Sequence, residues 1–279
     1  MEQYKAKSNR QAPIGVFDSG VGGLTVAREI MKQIPGESII YFGDTARVPY
    51  GNKSKETVTR FSRQIVSFLK THHVKTIVVA CNTASAYALD ELEKEIDIPI
   101  IGVVKPGAKM AAQTTQNGKV GVIATAATIG SGVYEKYIHQ IRPDISVYGK
   151  ACPLFVPLVE EGLWDDPVTD EIAGRYLACL MEKGIDTLIM GCTHYPLIRS
   201  ALARIVGEEV KLVDPAYETA VQLKRLLKRE DLLNPDPQAL NPDRYRFFVS
   251  DAAEQFRKFA DMIIPYGIYS ARTVHIEEY

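Results

Sequence analysis

The sequence is sparing with cysteine, carries a single tryptophan, and has no excess of either charge. Four of its 279 residues are cysteine (Cys81, Cys152, Cys179 and Cys192), and no two are spaced as Cys-x-x-Cys. No apolar stretch resembling a secretory signal is visible in residues 1–11. Together these features speak against a disulfide scaffold, a thioredoxin-like motif and a conventional zinc site. Lys plus Arg total 33 and Asp plus Glu total 34, a formal charge of −1. A protein so balanced has no overall field to gather nucleic acid or an anionic membrane. Lys224-Arg225 and Lys228-Arg229 fall at helical spacing, as a solvated helix face would. No apolar run approaches the roughly 18 residues that mark a membrane span. Apolar residues make up 46% of the chain, enough to bury a core and to exclude disorder as the main state. Residues 1–12 are polar and irregular and are expected to form a flexible tail.

Short β-branched runs alternate with longer helical patterns. Strands are predicted at 14–17, 38–42, 76–80, 100–103, 119–124, 145–148, 187–191, 210–213 and 246–249. Helices are predicted between them, including 55–72, 85–95, 131–141, 170–183, 197–206 and 216–230. This alternation is that of an α/β protein with mostly parallel sheets flanked by helices, in which ligands bind beyond the carboxyl ends of strands. An internal echo refines the expectation. Lys75–Thr83 repeats as Asp186–His194, an offset of 111, and Ile14–Phe17 repeats as Val120–Ile123, an offset of 106. Two similar halves, each with a cysteine at a strand end, are the simplest account.

Cys81 and Cys192 hold equivalent places, each after a buried strand and before a helix. A thiol there meets the positive end of the peptide dipoles, which favours the reactive thiolate. Two thiols facing each other across a cleft suit inversion of a carbon centre, one removing a proton and the other delivering one to the opposite face. A hydrolase needs one nucleophile and a water. Asp18-Ser19-Gly20-Val21-Gly22-Gly23-Leu24-Thr25 follows the first strand but matches neither Gly-x-Gly-x-x-Gly nor a Walker loop. Its glycines would let the backbone approach a ligand. Asp18 fits two roles equally, partner to a substrate ammonium or cap of a turn. Gly43–Gly51 reads as a surface loop. His194 could tune Cys192 or serve structure, and with Cys192 alone it makes no zinc site. Cys152 and Cys179 read as structural, and Trp164 as core or hinge packing.

Asp18–Val26, Pro49-Tyr50-Gly51, Ala80–Ser85 and Gly191–Pro196 resemble, in order, the four signature stretches of bacterial glutamate racemases, and Cys152–Gly162 matches the same family. The resemblance covers roughly residues 13 to 265 and leaves the initial tail and the final stretch unmatched. It implies a cofactor-independent, metal-free racemase of L- and D-glutamate, supplying D-glutamate for peptidoglycan. It implies two pseudo-symmetric α/β domains with the active site in the interdomain cleft: 13–103 with 215–279, and 104–214. Carried over residue by residue, Cys81 and Cys192 exchange the protons, supported by Asp18 and His194. Asp18, Ser19, Tyr50, Gly51, Asn82, Thr83, Thr193 and His194 contact the substrate. A supporting glutamate is expected, and either Glu160 or Glu161 could supply it. A cytoplasmic homodimer with a small-molecule substrate, and with neither nucleic acid nor membrane as partner, completes the expectation. A related aspartate racemase and a non-catalytic two-domain amino-acid-binding protein are the alternatives.

Overall fold

The computed structural model describes residues 10–234, 244–264 and 270–279. The first run of elements is β1 (Ile14–Asp18), α1 (Leu24–Gln33), β2 (Ile39–Gly43), α2 (Lys55–Thr71), β3 (Thr76–Val79), α3 (Asn82–Tyr87), α4 (Leu89–Glu95) and β4 (Ile100–Gly102). The second is α5 (Val104–Thr114), β5 (Lys119–Ala124), α6 (Ala126–Gly130), α7 (Val133–His139), β6 (Ser146–Ala151), α8 (Phe155–Glu160), α9 (Pro167–Met181), β7 (Thr187–Gly191), α10 (Arg199–Val206) and β8 (Lys211–Val213). The chain closes with α11 (Pro215–Arg229), β9 (Tyr245–Val249), α12 (Ala253–Ile263) and β10 (Ala271–Thr273).

The strands form two all-parallel sheets, ordered β10-β9-β2-β1-β3-β4 and β6-β5-β7-β8. The strands β2-β1-β3-β4 of the first sheet and the whole of the second share one winding. The sequence echo lies in register within it: Ile14 pairs with Thr76 in the first sheet, and their echoes Val120 and Thr187 pair in the second. In each sheet the chain steps to one side of its founding strand and then crosses to the other. That crossing opens a crevice at the carboxyl ends of β1 and β3, and of β5 and β7. Cys81 and Cys192 stand just beyond β3 and β7.

Local sequence accounts for the elements. β1, β2 and β7 are buried along their whole lengths, as strands covered by helices on both faces must be. In α2, Ser54 caps the helix by accepting from Thr57 N at 3.3 Å, and Val58, Ile65, Val66 and Leu69 form its buried stripe. Asp166-Pro167 and Asp214-Pro215 start α9 and α11 with an aspartate cap and a proline in the first turn. The basic residues of α11 are exposed, as their spacing predicted.

All nine predicted strands are present, with ends shifted by at most three residues. β10 was missed, because its Ala-Arg-Thr is a short, largely exposed edge with no apolar signature. The helix predicted at 85–95 is two helices that meet at Ala88, the first starting directly after Cys81. The helix predicted at 197–206 opens with a 3₁₀ turn over Tyr195–Ile198. Of the expected tail, residues 1–9 lie outside the described residues, whereas Arg10 and Gln11 are exposed and the chain turns into the fold at Ala12. Ala12 is buried, and the Arg10 carbonyl accepts from Lys75 Nζ at 2.6 Å.

Lys75 precedes β3 and forms a buried ion pair with Glu37. Its ammonium also donates to the Leu232 carbonyl at 2.9 Å, and Glu37 Oε1 accepts from Asn234 N at 2.8 Å. This knot ties the start of β3 to the segment after α11. Removing one partner strands the other charge in the interior, so Lys75→Met is expected to destabilise the fold by about 3–5 kcal/mol. Urea denaturation monitored by far-UV circular dichroism checks this; a loss under about 1 kcal/mol, ordinary for a surface ion pair, would contradict it.

Candidate active site

A cavity of about 480 Å³ opens at the carboxyl ends of both sheets. It is lined by Ser19, Tyr50, Gly51, Cys81, Asn82 and Thr83 from the first run and by Cys192, Thr193 and His194 from the second. Nine of the ten residues expected at the site therefore share one wall. The tenth, Asp18, is fully buried and does not line the cavity. Its Oδ2 accepts from Gly20 N at 2.9 Å, as a turn cap would, while Oδ1 is buried without a hydrogen-bond partner.

Cys81 is the N-cap of α3, and its Sγ accepts from Ala84 N at 3.4 Å. The thiol lies 3.6 Å from Ser19 Oγ. Burial pushes the Cys81 thiol up to about 12, and the nearby Asp18 carboxylate adds to this against the help of Ala84 N–H and Ser19. Cys81 therefore keeps its proton at neutral pH, contrary to the thiolate that its helix N-terminus alone suggested. The cavity wall is too dry, and too close to a carboxylate, for the dipole to prevail.

Cys192 sits in a different field. Its Sγ is 3.8 Å from His194 Nδ1, and His194 Nε2 is 3.0 Å from Glu160 Oε1. Burial alone would lower the His194 pKa, but the hydrogen bonds and negative charge of Cys192 and Glu160 outweigh it and raise the imidazole to about 10. The imidazolium is thus the form present at neutral pH. Glu160 and Glu161, at the end of α8, are both exposed, and it is Glu160 whose carboxylate reaches His194. Positive charge gathers behind Cys192 and a carboxylate stands behind Ser19 and Cys81, so the two thiols are electrostatically unequal.

The glycines of Asp18–Thr25 have a role different from the one expected. A Cβ on Gly22 would lie 2.3 Å from Thr193 Oγ1 and 2.5 Å from His194 Nδ1. One on Gly23 would lie 2.5 Å from Asp18 Cβ. These glycines admit the protein's own opposing turn and its buried aspartate. Thr25 Oγ1 completes the contact, donating within 2.9 Å of the Thr193 carbonyl. Within Gly43–Gly51, read as a surface loop, Ala46, Val48 and Pro49 are exposed, but Asp44 and Tyr50 are buried and the Tyr50 hydroxyl donates to Asp44.

Sequence reasoning missed several wall residues, among them Val48, Pro49, Thr125, Cys152, Val156 and Pro157. Thr125 was within reach, because the 106-residue echo carries Ser19 onto it. Its Oγ1 lies 3.0 Å from that of Thr83, and Gly51 packs against its Cβ. Cys152 also lines the cavity, but burial pushes its thiol up to about 12 and its Sγ donates to the Lys150 carbonyl at 3.6 Å. Among the described residues no group of three His, Cys, Asp or Glu is placed to hold a metal ion. Among them, too, no helix is long and apolar enough to cross a membrane.

Comparison with known proteins agrees with this geometry. The Asp/Glu/hydantoin racemase family matches residues 14–223. A glutamate racemase of Geobacter metallireducens is 54% identical over 243 residues, covering 87% of this chain and 89% of that protein. The crystal structure of a glutamate racemase isoform from Bacillus anthracis superposes with a TM-score of 0.91 at 42% identity, covering 95% of this chain and 98% of that one. The glutamate racemase of Francisella tularensis, solved in complex with D-glutamate, gives a TM-score of 0.89 at 40% identity over 97% of this chain and all of that one (100%). The chain belongs to the Asp/Glu/hydantoin racemase family, as a glutamate racemase-type amino-acid isomerase.

Proposed function

We propose that the chain interconverts L- and D-glutamate by a two-base proton transfer in which Cys81 and Cys192 act on opposite faces of the α-carbon. The observation that carries this reading is the placement of two thiols, each beyond the crossing strand of its own sheet, on the wall of one cavity. The α-proton of an amino acid is weakly acidic, so the developing carbanion needs its charge drawn onto the carboxylate. Hydroxyl and amide donors from Ser19, Asn82, Thr83 and Thr193 line the same cavity and suit that task. Burial and the Asp18 carboxylate favour a protonated Cys81, while the His194 imidazolium stands beside Cys192. The thiol thus stands ready to donate on one face while its partner accepts on the other, and turnover exchanges the two states.

The boundaries 13–103 with 215–279 and 104–214 are proposed as the two domains, with crossings near Val103 and Asp214 as hinges that open the cleft. The two sheets support the division. A cytoplasmic homodimer that supplies D-glutamate for peptidoglycan follows the family resemblance. Polarimetry with each glutamate enantiomer, without added cofactor, tests the activity: loss of rotation from either enantiomer is expected, and constant rotation from both would contradict the proposal.

Glu160→Gln tests the electrostatic part. His194 is raised to about 10, so what its charge contributes is whole below the ordinary imidazole range and is lost as pH rises through about 10. Removing the carboxylate withdraws one of the two groups that hold the proton. The alkaline limb of kcat/KM should move to lower pH in the variant, and an unmoved limb would show that Glu160 does not act through His194.

A further inference from the structure

Tyr134 lies on α7, buried, and is not one of the residues lining the main cavity. It nevertheless touches the neighbours of both thiols. A Cβ on Gly191, the residue before Cys192, would come within 3.1 Å of Tyr134 Cε2, so the ring fills the space that glycine leaves. The phenol reaches the other run of the chain and donates to Oδ1 of Asn82, the residue after Cys81, at 2.7 Å. Burial, together with Cys192 and Asp214 nearby, holds the phenol well above its usual range, so the hydroxyl keeps its proton and donates.

A buried hydroxyl needs an acceptor, and the amide carbonyl supplies it. That fixes the orientation of the Asn82 side chain, with Oδ1 committed to Tyr134. Asn82 Nδ2 makes no hydrogen bond among the described residues, and Asn82 lines the cavity. A flipped amide would turn its lone pairs toward a substrate carboxylate and leave the phenol facing N–H groups. We propose that Tyr134 is a positioning residue that holds the Asn82 amide with Nδ2 free to donate to the substrate carboxylate, and that joins this orientation to the backbone ahead of Cys192. The inference rests on the racemase reading above.

A double-mutant cycle tests it, with kcat and KM measured for both enantiomers in the parent, Tyr134→Phe, Asn82→Ala and the double variant. Tyr134→Phe should lower kcat/KM at least tenfold in the parent background, chiefly through kcat, and less than twofold in the N82A background. Equal losses in both backgrounds, or a parent-like Y134F, would overturn the assignment, because a merely structural tyrosine costs the same whether or not Asn82 is present. Should Y134F fail to fold, the unaltered protein gives a second measurement. A slowly exchanging Tyr134 hydroxyl proton with a nuclear Overhauser contact to the Asn82 amide protons supports the arrangement, and an absent contact overturns it. A parent protein inactive on glutamate would sink the racemase reading, whereas an additive cycle in an active parent would sink this inference alone.

Discussion

Replacement of Cys81 or Cys192 by alanine is expected to abolish racemisation in both directions while leaving the fold in place. Each side chain is small, and alanine keeps most of its packing. A properly placed acid or base contributes roughly 10²- to 10⁴-fold, and each thiol is both acid and base over a full cycle. A loss of at least 10³-fold in kcat is therefore expected on that scale for each variant. The effects should not multiply, because one missing proton carrier already stops inversion. Circular dichroism confirms the fold, and polarimetry measures the rate. Substantial activity in either variant would mean that one thiol is dispensable. Cys152→Ala provides the contrast: its thiol is on the cavity wall but engaged with Lys150, so a loss comparable with that of C81A or C192A would mean the wrong pair had been chosen.

The second large effect is expected at a residue with no chemistry of its own. Gly22→Ala places a methyl carbon against Thr193 Oγ1 and His194 Nδ1, at 2.3 and 2.5 Å before relaxation. Something has to move, and the moving parts are the turn that carries Cys192 and the imidazole behind it. A shift of about 1 Å in a reacting group can cost about 10²-fold, so kcat/KM should fall by that order. Overpacking of this kind costs about 1–3 kcal/mol, which would lower the melting temperature without unfolding the protein. Steady-state kinetics beside a thermal melt separates the two effects. Parent-like kcat/KM in G22A would show that the opposing turn is not held by this contact.

The sequence made the architecture legible because its central strands β1, β2, β3 and β7 are buried on both faces. Apolar runs between turn signals have few other readings, and the paired echoes disclosed the duplicated winding. β10 escaped because an exposed edge of three residues carries no such pattern. The site was legible where chemistry and position coincided. Cys81 and Cys192 announced themselves as polar-flanked cysteines at matched strand ends, and the family resemblance added their companions. What the sequence could not display was the field around them. A helix N-terminus suggested thiolate at Cys81, yet burial beside Asp18 prevails, and that depends on a distance in space. The choice between Glu160 and Glu161 is of the same kind, since adjacent residues at a helix end point in different directions and only one reaches His194. The glycines were recognised as permitting close approach, but the group that approaches Gly22 is Thr193, 171 residues away along the chain.

Isotope tracing in deuterium oxide tests the two-thiol account most directly. Each glutamate enantiomer is incubated separately, and the α-position of both the residual substrate and the first product formed is read by proton NMR. Because the proton removed stays on one sulfur while the other delivers a solvent-derived deuteron, the initial product should carry deuterium at the α-carbon and the residual substrate should keep its proton, in both directions. Initial product that retains the substrate's own α-proton would mean that a single group serves both faces, and would contradict the assignment of Cys81 and Cys192 to opposite sides of the carbon.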